Sequence, residues 1–166
     1  MHHARVARAL YLLRHLKSSW DDPALPDRER PLAPRGRKAG KKVAKHLRKT
    51  GVEPELVLCS PAVRTRQTLA AVEAELGAPE IRFVDELYHA GAETLLAALQ
   101  GVDPGVDSVL LIGHNPGLLD LAVMLAGALP DELPTGALAT LSFDGAWAEL
   151  EPAACELVAY VVPREL

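Results

Sequence analysis

Three apolar runs that each stop at a polar residue constrain the fold of this chain more than any other feature. Ala9-Leu10-Tyr11-Leu12-Leu13 runs into Arg14-His15, and Leu56-Val57-Leu58-Cys59 runs into Ser60-Pro61. Ser108-Val109-Leu110-Leu111-Ile112-Gly113 runs into His114-Asn115. Short apolar runs bounded in this way read as buried strands. Helical patterns alternate with them, which predicts a sheet covered on both faces, mostly parallel, with a late antiparallel piece. The expected architecture is a three-layer α/β/α sandwich. Open α/β sheets bind ligands at the carboxyl ends of their strands, where these runs deliver arginine, histidine and serine.

The elements between the runs follow from local signals. The first strand spans about 8–14, and a polar loop with Trp20, Asp21, Asp22, Pro23 and Pro26 is long enough to act as a functional cover. A helix from Arg35 to Lys49 buries Ala39, Val43 and Leu47, and Gly51 closes it as a left-handed cap. Ser60-Pro61 reads as N-cap plus first-turn proline of a helix reaching about Leu76, and Asn115-Pro116 repeats the signal for a helix to about Ala126. Ile81–Val84 forms a weaker strand and Glu93–Gln100 a further helix. Two closing strands lie near Ala137–Phe143 and Glu156–Val162, with Asp144-Gly145 as a hairpin-type turn. Neither a repeat nor a linker divides residues 1–166, which are read as a single domain.

Charge is distributed unevenly. Residues 1–66 carry 16 of the 18 Lys and Arg against 6 acids, and residues 67–166 carry 2 against 16. Eight of the basic residues lie in the helix from Arg35, where a solvated face accounts for them. A net charge of −4 and 4% aromatic residues argue against nucleic-acid binding. No apolar stretch approaches a membrane span, no signal peptide is read, and Cys59 and Cys155 read as buried free thiols. The expected compartment is the cytoplasm. His2 and His3 suggest no metal site, and His15, His89 and His114 lack metal-ligand spacing.

Two arginines and two histidines, Arg14, His15, Arg64 and His114, are thereby placed around the strand ends. An imidazole beside a guanidinium suits phosphoryl chemistry, one group attacking phosphorus and the other holding its oxygens. Arg64 shares a helix face with Thr68, whereas Arg66 points elsewhere.

These residues carry a resemblance. Arg14-His15 after the first strand resembles the signature of the histidine phosphatase superfamily, with its phosphoglycerate mutase-like fold. Ser60-Pro61-Ala62-Val63-Arg64-Thr65-Arg66-Gln67-Thr68 resembles its second motif, and Ile112-Gly113-His114-Asn115 its third. The short length, the run Arg14–Trp20, Arg30-Pro31-Leu32 and Arg35-Gly36 look like the small phosphohistidine phosphatase branch. Leu16 departs from the small residue that usually follows the histidine there.

The resemblance implies that His15 is the nucleophile, that Arg14 and Arg64 clamp phosphoryl oxygens, and that His114 donates from the other side. It implies no metal and no organic cofactor. The superfamily's general acid follows the third strand, where Glu86 is the best carboxylate and His89 a possible substitute. The expected function is hydrolysis through a covalent phosphohistidine, most naturally on phosphohistidine in a protein. The alternatives are a phosphatase or mutase for a small phosphoester, and a non-catalytic phosphate-binding module.

Overall fold

The computed structural model describes residues 7–166, so His2 and His3 lie outside the described residues. Six strands form one sheet: β1 (Ala7–Arg14), β2 (Leu56–Cys59), β3 (Glu80–Phe83), β4 (Ser108–Gly113), β5 (Leu138–Asp144) and β6 (Glu156–Val161). Their order is β3-β2-β4-β1-β5-β6. The first four strands pair in parallel, while β5 and β6 add antiparallel neighbours.

Helices cover both faces, as an α/β/α sandwich requires. Beneath α1 (Pro34–Thr50) and α2 (Val63–Val72), Leu13, Val57, Leu110 and Ile112 meet Val43, Leu47, Leu69 and Val72. On the opposite face, Leu10, Leu12, Leu58, Val109 and Leu111 meet α3 (Ala92–Gln100) and α4 (Gly117–Ala126). The central strands are apolar on both sides because both sides are covered.

Helix α1 shows how sequence becomes packing. Its buried residues, Gly36, Gly40, Val43 and Leu47, recur at helical spacing, and its basic residues occupy the other face. Gly51, at φ 69°, ends it and donates its N–H to the carbonyls of Arg48 and Leu47. Gly40 also makes room for Leu16: an added Cβ would lie 2.9 Å from Leu16 Cδ1. Gly136 does the same from the other side, at 3.0 Å from Leu16 Cδ2. The leucine after His15 is therefore core, fully buried between two glycines.

Three local expectations need correction. Helix α2 begins at Val63 with Ala62 as its cap residue and gives way to a 3-10 turn at Glu73–Glu75. Ser60 is not its N-cap, because the Ser60 hydroxyl is committed to His114 at 2.7 Å. Helix α4 begins at Gly117, with Pro116 as the cap residue, although Asn115 Oδ1 still accepts the N–H of Leu119 at 3.2 Å. Asp144-Gly145 does not close a tight hairpin, since the connection to β6 runs through a 3-10 turn at Trp147–Glu149. Trp147 is fully buried there and donates its indole N–H to Val106 O at 2.6 Å. Burial of a large aromatic ring won over the local turn preference.

Candidate active site

Strand register assembles the site. Arg14 pairs with Gly113 across β1 and β4, so His15 and His114 emerge side by side. Cys59 pairs with Ile112 across β2 and β4, which puts Ser60 next to them. Backbone bonds continue one step past the strands: His15 N–H donates to Gly113 O and Ser60 N–H to Ile112 O, both at 3.1 Å. The His15 and His114 ring centroids are 5.5 Å apart. Arg14, His15, Arg64, His89 and His114 all line one cleft of about 380 Å³.

His15 Nδ1 lies 2.7 Å from Leu16 O. A carbonyl can only accept, so Nδ1 holds the proton and neutral His15 has its lone pair on Nε2. Burial, with help from the Arg64, Arg14 and Arg30 charges, lowers the His15 pKa to about 4 against the raising effect of the Leu16 bond. The imidazole is thus unprotonated at neutral pH. Burial contributes more than the charge of the adjacent Arg14.

His114 is held by Ser60, whose hydroxyl meets Nε2 at 2.7 Å. Burial and the positive charge of Arg64 push its pKa down to about 3. Its Nδ1, together with Arg14 Nε and Arg64 Nε, is buried without a hydrogen-bond partner. Nitrogens of this kind are costly to bury unpaired, and grouping them in one cleft suits an anion with several acceptor oxygens.

Asp27, which sequence reasoning did not single out, ties the cleft to its cover loop. Its carboxylate accepts from Arg64 (3.0 Å), Arg30 (3.1 Å) and Tyr88 (2.6 Å), and His89 Nε2 lies 3.2 Å away. Its backbone carbonyl takes a second Arg64 N–H at 2.8 Å. Partial burial raises its pKa, but the bonds from Tyr88, Arg30 and Arg64 outweigh this and hold the carboxyl well below the usual range. Arg30 continues outward, donating to Ser18 Oγ at 2.8 Å and lying 3.5 Å over the Trp20 ring. The available signal was an acid with Arg30 three residues on, in the basic half of the chain.

The remaining candidates separate clearly. Arg64 is buried at the cleft, while Arg66 donates to Pro61 O at 2.9 Å and stacks on Phe83 outside it. His89 reaches the cleft, but Glu86 does not: it is exposed on a 3-10 turn (Asp85–Leu87) and does not line the cleft. The turn aims Leu87 into the core and so directs its neighbour outward. Among the described residues no group of His, Cys, Asp or Glu is arranged to hold a metal ion.

The buried histidines make stability depend on pH. Folded His15 binds its proton only below about 4, whereas an unfolded histidine does so below about 6.5. The unfolded chain therefore holds more protons between these values, and stability falls as pH drops through that window. Thermal melts from pH 7 to 4 should show a declining Tm, with a shallower decline in His15→Asn. An equal slope in the variant would refute the assignment.

Residues 10–95 match the model of the histidine phosphatase superfamily, branch 1. An uncharacterised protein of Mycobacterium tuberculosis is 35% identical over 162 residues, which is 92% of this chain and 100% of the relative. The phosphohistidine phosphatase SixA of Escherichia coli is 35% identical over 140 residues, covering 81% of this chain and 85% of its own. The structure of a protein histidine phosphatase SixA complexed with tungstate superposes with a TM-score of 0.81 at 29% identity, covering 95% of this chain and 98% of that one.

Proposed function

Because the chain belongs to the histidine phosphatase superfamily and is a cofactor-independent phosphatase, we propose that it dephosphorylates phosphohistidine in proteins through a phosphorylated His15. His15 Nε2 forms a bond to phosphorus while the P–N bond to the substrate imidazole breaks. That bonding pair stays on the leaving ring, which departs neutral when its other nitrogen already carries a proton. Arg14 and Arg64 hold the phosphoryl oxygens, and His114 donates from Nδ1, with Nε2 kept on Ser60.

Water then attacks phosphorus and the new P–N bond breaks, returning the pair to Nε2. The water proton passes to phosphate and solvent. The Nδ1–H bond to Leu16 O serves both steps, because it keeps His15 protonated on its far nitrogen and so makes it a good leaving group in its turn.

The state of Asp27 carries the choice of substrate class. Among the residues lining the cleft it is the sole carboxylate, and its three donors keep it ionised. An ionised, fully engaged carboxylate cannot protonate an alkoxide leaving group. Imidazole, with a conjugate-acid pKa of about 6.5, leaves without such help. The relatives named as acting on phosphohistidine support the same reading. Cys59 and Cys155 are free and buried, which favours the cytoplasm, and no helix among the described residues is long and apolar enough to cross a membrane.

Comparison of kcat/KM across substrates tests this. The expected order is a phosphohistidine peptide, then an aryl phosphate, then phosphoserine or a sugar phosphate, with Glu86→Gln leaving the first nearly unchanged. An alkyl phosphate above phosphohistidine, collapsing in Glu86→Gln, would transfer the protein to the small-molecule reading.

A further inference from the structure

Beside the catalytic cleft lies a second concavity of about 250 Å³, lined by Lys17, Arg35 and Arg164 above Thr135 and Val162. It shares Lys17 and Thr135 with the catalytic cleft, so the two adjoin. All three cations are exposed. Among the described residues no carboxylate is within ion-pair distance of Lys17 or Arg35, whereas Arg164 pairs with Asp131 at 3.4 Å. Residues 1–6 contribute no acid either.

The backbone fixes where these cations stand. Gly36 packs directly on the Lys17 carbonyl, where an added Cβ would lie 2.1 Å from the oxygen, and Ala33 N–H donates to that oxygen at 2.9 Å. The backbone segments that bear Lys17 and Arg35 are thereby held against each other. Gly136 packs on Pro163, at 2.7 Å from an added Cβ to Cγ, and brings Arg164 to the facing rim. The first turn of α1 also carries no acid, although a helix start favours one. Departures from local preference of this kind belong at functional sites.

We propose that this basic side cleft is a docking subsite for acidic residues flanking the phosphohistidine of the substrate protein. The inference rests on the phosphohistidine reading and extends it from the phosphoryl group to the polypeptide that bears it. Carboxylates fit because Lys17 and Arg35 have no acidic partner among the described residues, and a neighbouring segment of the same polypeptide fits because the side cleft adjoins the catalytic one at Lys17 and Thr135. Exposed pairs are individually weak, but three of them acting together shift kcat/KM by about tenfold at low salt.

The test uses two phosphohistidine peptides of equal length, one flanked by Glu and one by Gln, with p-nitrophenyl phosphate as the small control. The wild type should favour the Glu peptide about tenfold at low salt, and the preference should shrink as salt rises. In Arg35→Glu the preference should vanish or invert, with p-nitrophenyl phosphate turnover within about twofold of wild type. Equal turnover of the two peptides by the wild type overturns the inference, as does an equal loss on both in Arg35→Glu. So does a small phosphoester with a second anionic group that outruns the Glu peptide.

If neither phosphopeptide is turned over, the phosphohistidine reading has failed. Docking is then decided by whether the unphosphorylated Glu peptide inhibits p-nitrophenyl phosphate hydrolysis less in Arg35→Glu. Equal inhibition overturns it.

Discussion

His15→Ala should lose at least about 10⁴ in kcat, the scale on which removal of a covalent nucleophile acts. Its neutral ring has one free lone pair, on Nε2, because Leu16 O fixes the proton on Nδ1. In His114 it is Nε2 that is engaged, by the Ser60 hydroxyl. Rapid acid quench is unsuitable for trapping the intermediate, because a phosphoramidate is acid-labile and alkali-stable. An alkaline quench of labelled enzyme should place phosphate on His15. Label on His114, Ser18 or Ser60 would assign the roles wrongly.

Arg64→Ala should cost roughly 10²–10³ in kcat, the usual penalty for losing a charge-assisted donor to the transition state. Arg66→Ala should stay near wild type, because its guanidinium is spent on Pro61 O and Phe83. The two arginines sit two residues apart on one helix, so the comparison is internally controlled. Arg64 also balances Asp27, so its removal leaves a partly buried carboxylate with fewer donors. Arg64→Ala,Asp27→Asn separates the effects: recovery of Tm without recovery of rate locates the loss in catalysis. Equal losses at Arg64 and Arg66 would mean that the phosphoryl group is held elsewhere.

What could be read from the sequence was whatever lay one covalent step from an apolar run. Arg14, His15, Ser60 and His114 follow directly from strands whose burial is written in their composition, and parallel register brings their ends together. Arg64 came from its place in the first turn of a helix. Asp27, Arg30 and Trp20 belong to a loop without hydrophobic period, and their positions depend on closure against distant residues. Asp27 meets partners 37 and 61 positions away, Arg64 and Tyr88, which no local pattern encodes. The same cause explains the displaced helix starts. Ser60-Pro61 is a sound local cap signal, but a buried histidine nitrogen made a stronger claim on the hydroxyl.

Residue 16 gives this site its stiffness. Its carbonyl receives the proton of His15 Nδ1, and its N–H donates to Thr68 Oγ1 at 3.0 Å. Thr68 in turn donates to the carbonyl of Arg64 at 2.7 Å, while the leucine side chain is wedged between Gly40 and Gly136. His15 and Arg64 are thus joined by an unbroken train of hydrogen bonds through residue 16 and Thr68. From the opposite side Asp27 reaches in from the cover loop and accepts from the same Arg64, so this one arginine is tied both to the residue-16 chain and to the cover.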